Sequence, residues 1–463
     1  MMERYDLAVV GSGPGGYVSA IRAAQLGFKT VCIDKNQSLG GTCLNVGCIP
    51  SKTLLQATEL LFYLQDQGEE QGFEWSDLRL NFSKLMERKK KVIRHLNEGI
   101  AALFRQHQIS LIEGRAEFID SNHLRITSQT GGVTDIEAAY TLIATGSEPI
   151  QLGDIPFDGR QVISSTEALN LPSVPDRMVI IGAGVIGVEL ASIYCRLGSQ
   201  VQIIEMLDHI CPTLDDALSK HLHKLLQKQG IQVFLSSKVL SAIVQPDEVI
   251  LVADLNGELH NISANVVLVA VGRRSYTKGL QLDRIGVKTD RREGIVVDEC
   301  FRTTQSNIFA VGDVIDGPML AHRASVEGVA VVEFLKGRRP RVDYLSIPSV
   351  IYTYPEVAAV GLTQQDARQA GLDVMVGMSF FRGNPRARCS GEIEGFVKVI
   401  GDKCSGRLVG LHIIGSHASE LISQAVVAMQ LRAKVKDLAD LPQAHPTLSE
   451  TLKEAALNAL EGI

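Results

Sequence analysis

Two stretches of the 463-residue chain repeat one pattern. Near the start, an apolar run at 7–10 leads into Gly11-Ser12-Gly13-Pro14-Gly15-Gly16. A helical stretch through Ala20, Ile21, Ala24 and Leu26 follows and stops at Gly27. A second apolar run, 30–33, ends in Asp34. Later, the run 178–181 leads into Gly182-Ala183-Gly184-Val185-Ile186-Gly187. A helical stretch through Leu190, Ile193 and Tyr194 stops near Gly198, and the run 201–204 ends in Glu205. In both copies the acid stands 18 residues after the third glycine. Strand, glycine-rich turn, helix, strand, acid is the context a dinucleotide-binding turn requires. The first glycine (Gly11, Gly182) permits the tight turn. The second (Gly13, Gly184) lets backbone approach a pyrophosphate, and the third (Gly16, Gly187) lets helix pack on strand. The helix N-terminus offers free N–H groups and a positive dipole end, and the acid hydrogen-bonds a ribose hydroxyl. Two copies predict two Rossmann-like units and two bound dinucleotides.

No arginine follows Glu205 in Met206-Leu207-Asp208-His209. A 2′-phosphate there would meet a carboxylate with no compensating cation, so the second site is expected to take NAD rather than NADP.

At about 150 residues per domain, the length allows roughly three domains. Lys+Arg 46 against Asp+Glu 52 gives a net charge of −6. With no basic block, nothing points to nucleic acid. The longest apolar runs fall far short of the ~18–20 residues that span a bilayer. The N-terminus enters a strand directly and lacks the pattern of a secretion signal. The charged helical stretch 82–107, with Arg88-Lys89-Lys90-Lys91, reads as a solvated helix face. Residues 147–158 read as a boundary loop, and short strands dominate 231–271. From 347 the texture changes to a separate α+β domain.

Eight cysteines are too few for a disulfide-stapled secreted scaffold, and only Cys43 and Cys48 are close in sequence. This pair has three readings: inert packing, zinc ligation, or a redox disulfide. No second pair or histidine cluster lies near to complete a four-ligand zinc site. A disulfide needs Cα atoms roughly 4.4–6.8 Å apart, whereas five residues of ideal helix rise about 7.5 Å. The turn must therefore be distorted, and Gly47 makes that possible. A helix starting here would also favour thiolate. Lys52 lies four residues past Cys48, on the same face of a regular helix.

The run Gly40-Gly41-Thr42-Cys43-Leu44-Asn45-Val46-Gly47-Cys48-Ile49-Pro50-Ser51-Lys52 resembles the active-site motif of the class I pyridine nucleotide–disulfide oxidoreductases, within them the branch that oxidises dihydrolipoamide. Further segments similar to that family follow in order over the whole chain. They are Ala144-Thr145-Gly146-Ser147, the second glycine-rich turn, Val271-Gly272-Arg273-Arg274, Ala310-Val311-Gly312-Asp313-Val314, Leu320-Ala321-His322, Tyr352-Thr353-Tyr354-Pro355-Glu356-Val357 and His445-Pro446-Thr447-Leu448-Ser449-Glu450. The resemblance implies an α/β fold of two Rossmann-like domains plus a C-terminal α+β dimerisation domain. The expected divisions are an FAD domain at 1–150, an NAD domain at 151–275, a central domain completing the FAD site at 276–346, and an interface domain at 347–463. It implies FAD held by Gly11, Gly13, Gly16, Asp34, Thr42, Lys52, Gly114, Thr145, Gly146, Asp313 and Ala321. NAD would be held by Gly182, Gly184, Gly187, Glu205, Val239 and Gly272. Asp34 departs mildly from the family, where glutamate is commoner.

The same resemblance gives Cys43 as the exposed interchange sulfur and Cys48 as the sulfur beside the flavin, with Lys52 stabilising charge and Glu189 near the nicotinamide. His445, pushed out of helical geometry by Pro446, suits proton transfer near neutral pH. Glu450 would orient it. The His–Glu pair of one chain would serve the disulfide of the other, implying an obligate homodimer. The implied partner is a lipoylated acyltransferase core or lipoyl carrier protein, in the cytoplasm or as a processed organellar matrix form. Among relatives, a glutathione-reducing enzyme would want NADP-binding arginines after the second turn. A mercury-reducing one would want a C-terminal cysteine pair, and none follows Cys404. A transhydrogenase relative would lose part of the pair, and a flavin-binding scaffold would need neither the cysteines nor His445 and Glu450.

Overall fold

The computed structural model describes residues 2–339 and 341–463. The chain forms two compact units, one of residues 1–53, 83–150 and 272–342 and one of 54–82, 151–271 and 343–463.

The first unit is built on a mixed sheet. Glu3–Val10 lies at its centre, parallel to Thr30–Asp34 on one side and Val133–Ile143 on the other. Ser110–Glu113 extends it beyond Thr30–Asp34. Leu7, Ala8, Val9, Val31 and Cys32 are buried in succession, as parallel strands covered on both faces require. Arg115–Phe118, His123–Thr127 and Val133–Ile143 form an antiparallel meander. After the excursion into the second unit the chain returns, and Ile308–Ala310 pairs in parallel with Val133–Ile143. That late strand delivers Gly312 and Asp313 to the sheet edge near the first glycine-rich turn.

The second unit contains the other parallel sheet, in the order Gln232–Phe234, Gln200–Ile204, Arg177–Ile181, Val266–Val269, Val162–Ile163. A three-stranded meander spans Ser237–Val244, Val249–Leu255 and Glu258–Ala264. Its C-terminal part is a five-stranded antiparallel sheet of Ser349–Ile351, Glu356–Gly361, Leu408–Gly415, Phe396–Asp402 and Val374–Phe380. Helices Ala418–Gln430 and Glu450–Glu461 bury Leu421, Ile422, Leu452, Ala455 and Ala456 against it. Two α/β sheets and a C-terminal α+β part are the expected fold class.

Two local expectations need correction. The basic run 88–91 lies in helix Phe82–Gln106, but not all of it faces solvent. Lys89 is buried and its ammonium is pushed down to about 8 by desolvation, with Lys90 adding repulsion. Four consecutive cations cannot share one helix face at 100° per residue, so one of them turned inward. Part of the expected loop 147–158 is strand: Ser147–Pro149 pairs antiparallel with Arg273–Ser275. Among the described residues, no helix is long and apolar enough to cross a membrane.

Candidate active site and nucleotide turns

The two glycine-rich turns share one geometry. Gly11 and Gly182 both have φ of +103°, and a side-chain carbon there would strike the carbonyl of Ala144 or of Ala270. A Cβ on Gly16 or Gly187 would strike the carbonyl of the first glycine of its own turn. Gly13 and Gly184 cap helices Pro14–Gln25 and Val185–Arg196 in extended geometry with open space before them. The two acids do a job that spacing alone does not reveal. Asp34 Oδ2 accepts from Ser12 N at 2.8 Å and Ser12 Oγ at 2.7 Å, and Oδ1 from Asn36 N at 2.8 Å. Glu205 Oε2 accepts from Ala183 N at 2.6 Å, and Oε1 from Leu207 N at 2.8 Å. Each acid thus ties its turn to the neighbouring strand end. A carboxylate has about four lone-pair sites, so each keeps acceptor capacity for a ribose diol. Open backbone, a helix N-terminus and a free carboxylate acceptor fit a dinucleotide at both turns.

Around the first turn, Gly114 N donates to the Asp34 carbonyl at 2.8 Å. Gly114 lines a cavity of about 400 Å³ with Lys35, Asn36, Arg115, Thr127, Ser128 and Gln129. Thr145 Oγ1 donates to Tyr276 O at 2.6 Å, and the Gly146 carbonyl accepts from Tyr276 N at 2.9 Å. Asp313 Oδ2 accepts from Ser147 Oγ at 2.6 Å, while Arg273 Nε donates to that hydroxyl at 2.7 Å. Burial pushes the Arg273 pKa down, and the nearby Asp313 and Cys48 draw it back up. Ala321 opens helix Ala321–Leu335. Gly272 belongs to this first unit, where its carbonyl accepts from Ile150 N at 3.1 Å. Val239 is buried in the second unit, beside a register shift in its strand.

The cysteine pair sits where one helix is broken into two. Helix Gly41–Val46, which carries Thr42 and Cys43, ends at Gly47 (φ −143°, ψ −112°), and helix Cys48–Gln67 begins at once. The break brings the two thiols into hydrogen-bond contact. That contact, then burial, then the charge of Cys48 push the Cys43 thiol far up; Lys52, one turn past Cys48, pulls it down. All eight cysteines are thiols. The expected distortion at Gly47 and the placing of Lys52 on the Cys48 helix are both observed.

In the second unit, His445 Nδ1 meets Glu450 Oε1 at 2.9 Å. Glu450 Oε2 accepts from Thr447 N at 2.9 Å, and these bonds, the backbone one first, hold its carboxyl below the usual range. Glu450 opens helix Glu450–Glu461. Asn384 Nδ2 anchors the loop through Thr447 O at 2.9 Å and Thr451 Oγ1 at 3.0 Å. The His445 side chain is 68% exposed, with Nδ1 the nitrogen that faces Glu450. Buried Glu189 accepts from Tyr352 N at 3.0 Å. The structure therefore joins Cys43, Cys48 and Lys52 in the first unit, and His445 with Glu450 in the second. Among the described residues, no cluster of three or more His, Cys, Asp or Glu is arranged to hold a metal ion.

Residues 5–328 match the family model of the pyridine nucleotide-disulphide oxidoreductases, and residues 347–456 match the dimerisation domain of the same family. The chain belongs to this family. It is similar to the mitochondrial dihydrolipoyl dehydrogenase of Homo sapiens, 44% identical over 464 residues, covering 99% of this chain and 91% of that one. The mitochondrial dihydrolipoyl dehydrogenase of Pisum sativum is 42% identical over 98% of this chain and 91% of its own. The leghemoglobin reductase of Glycine max is 41% identical over 98% and 87%. Among solved structures, LpdA from Mycobacterium tuberculosis superposes with a TM-score of 0.91 at 27% identity, over 99% of both chains. A flavoprotein disulfide reductase, RclA from Escherichia coli, gives 0.87 at 27% identity, over 98% of this chain and 99% of that one. The chain is accordingly a flavoprotein oxidoreductase of this family, whose members use FAD and NAD(H). Its dimerisation domain supports a homodimer.

Proposed function

We propose that the protein oxidises protein-bound dihydrolipoamide to lipoamide and reduces NAD⁺ to NADH, as a component of 2-oxo acid dehydrogenase or glycine cleavage complexes. The reading is carried by the thiol pair of Cys43 and Cys48, held in contact across the Gly47 break with Lys52 one turn away. Its proposed partners are a second copy of the chain and a lipoylated acyltransferase core or lipoyl carrier. Its proposed setting is the cytoplasm, or an organellar matrix after processing.

In the oxidised enzyme, Cys43 and Cys48 form a disulfide. His445, its Nδ1 engaged by Glu450, takes a proton from a substrate thiol at Nε2. The His–Glu pair of one chain serves the cysteine pair of the other. The substrate thiolate attacks the Cys43 sulfur, forming a mixed disulfide and releasing Cys48 as thiolate. Lys52 offsets the charge that gathers there. The second substrate thiol, deprotonated in turn, attacks its own partner sulfur, and Cys43 leaves. Lipoamide departs as the cyclic disulfide, and both cysteines are reduced. This dithiol closes again to the disulfide and gives up its protons and an electron pair, and FAD, when bound, would supply the two-electron chemistry that links it to NAD⁺. Gly11, Gly13, Gly16, Asp34 and Asp313 would hold FAD, while Gly182, Gly184, Gly187 and Glu205 would hold NAD and Glu189 would lie near the nicotinamide.

Steady-state assay of dihydrolipoamide with NAD⁺ and NADP⁺ side by side tests the reading. NADH formation well above NADPH formation is expected. Absence of turnover with either, in protein carrying FAD, would overturn it.

A further inference from the structure

Asp313 stands on a short turn that is tied down from beneath by two residues outside every motif noted in the sequence. Arg323 and Glu327 lie four residues apart on helix Ala321–Leu335, on one face. Both are buried, with side chains 3% and 0% exposed. Both carboxylate oxygens of Glu327 accept hydrogen bonds. Oε2 accepts from Gly312 N at 2.8 Å, and Oε1 accepts from Arg323 Nε at 2.7 Å. The other arms of the guanidinium donate to the carbonyls of Pro318, at 2.8 Å, and Asp316. One buried pair thus grips the turn at its start, Gly312, and at its end, 316–318.

The glycines of the turn fit this grip. Gly312 has φ of +76°, and a Cβ there would stand 2.8 Å from Ala324 Cβ. Gly317 has φ of +121°, and a Cβ there would overlap the Arg323 guanidinium. Backbone passes close over the start of the helix only because both positions lack a side chain, Gly312 against Ala324 and Gly317 against Arg323. The helix is itself fixed: Gly328 lies so close to helix Pro14–Gln25 that a Cβ would strike Ser19 and Gly15. The turn is therefore referenced to the same helix that opens at the first dinucleotide turn. Above the grip, Asp313 offers its carboxylate to Ser147 and its carbonyl to Ser275 Oγ at 2.9 Å.

We propose that Arg323 and Glu327 are a positioning pair for the flavin, fixing the backbone of Gly312–Gly317 so that the Asp313 carboxylate stands where FAD needs it. Neither side chain touches the cofactor; both act through the turn. This rests on the reading of Asp313 as an FAD-holding residue. A pair buried this deeply also threatens the fold when one partner is removed alone, so the test uses variants that spare packing. Glu327→Gln keeps shape and one acceptor. The double variant Arg323→Met with Glu327→Leu replaces both charges by apolar groups of similar size, and Arg323→Lys keeps the charge but loses the fork.

The experiment measures FAD dissociation from the purified holoenzyme by flavin fluorescence, the visible flavin spectrum, and far-UV circular dichroism, with Asp313→Asn in parallel. Glu327→Gln and the double variant are expected to stay folded, release FAD at least about tenfold more readily and shift the flavin spectrum. Arg323→Lys is expected to fall between them and the parent. Parent-like FAD retention and spectrum in Glu327→Gln and the double variant, with Asp313→Asn impaired, would overturn the positioning role and leave Asp313's intact. Parent-like retention in Asp313→Asn would instead remove the reading beneath it. Loss of the whole fold in both pair variants would also count against the proposal, because the pair would then support the unit and not the turn.

Discussion

Gly47 leaves no room for a side chain beside Cys43. A Cβ at Gly47 would stand 2.9 Å from the Thr42 carbonyl oxygen and 3.3 Å from Cys43 Cα. Because the helix stops and restarts there, two cysteines that an ideal helix would hold about 7.5 Å apart along its axis come into contact.

Gly47→Ala is therefore expected to pry the two helices apart. Overpacking of this kind costs about 1–3 kcal/mol. The expected outcome is a lower midpoint in urea and slower closure of the Cys43–Cys48 disulfide, read by thiol counting after mild oxidation. Parent-like closure would show that the pair does not depend on the close approach.

His445→Gln is expected to lower kcat with dihydrolipoamide by about 10²–10⁴, the range that general acid–base groups contribute, and to remove a limb of the pH–rate profile. Glu450→Gln is milder. Without the carboxylate, Nδ1 loses the charged acceptor that orients the ring, so kcat is expected to fall, by less than in His445→Gln. Parent-like kcat in Glu450→Gln would contradict the orienting role.

Lys89 gives the clearest pH signature in stability. Its folded pKa is about 8 against an ordinary 10.5. Below pH 8 both states carry the proton, and the folded state bears the full cost of burying it. Between 8 and 10.5 the folded state releases the proton first, so stability rises with pH, by an amount on the order of 3 kcal/mol. Denaturation of Lys89→Met is expected to show a flatter dependence over that window than the parent. Equal slopes would refute the assignment.

Glu205 offers a carboxylate to Ala183 N and Leu207 N at the end of its strand. Glu205→Gln keeps an acceptor but loses the charge that faces a 2′-phosphate. The ratio of kcat/KM for NAD⁺ over NADP⁺ is expected to fall at least about tenfold. An unchanged ratio would place nucleotide selection elsewhere.

Both turns were legible in the chain because their demands are local. A tight turn, a close approach and a strand-end acid each leave a residue type at a fixed spacing, as in Gly182, Gly187 and Glu205. The broken helix was legible for the same reason, through Gly47 between the cysteines. The second hydrogen bond of each acid, to Ser12 or Ala183, was hidden because any residue donates a backbone N–H. The bonds from Arg273 to Ser147 and from Ser147 to Asp313 were hidden because they join residues 126 and 166 positions apart. Lys89 was misread because composition shows a run of cations and not which one turns inward. Arg323 and Glu327 carried a usable signal, an i,i+4 ion pair between apolar neighbours, but on an exposed helix that pattern is ordinary. Only burial distinguishes it.

The central claim is that turnover passes through the Cys43–Cys48 pair. Cys48→Ser, purified with its FAD content measured, tests it most directly in the dihydrolipoamide and NAD⁺ assay. The account predicts bound FAD at the parent level and NADH formation reduced to background. Parent-like NADH formation in this variant would contradict it.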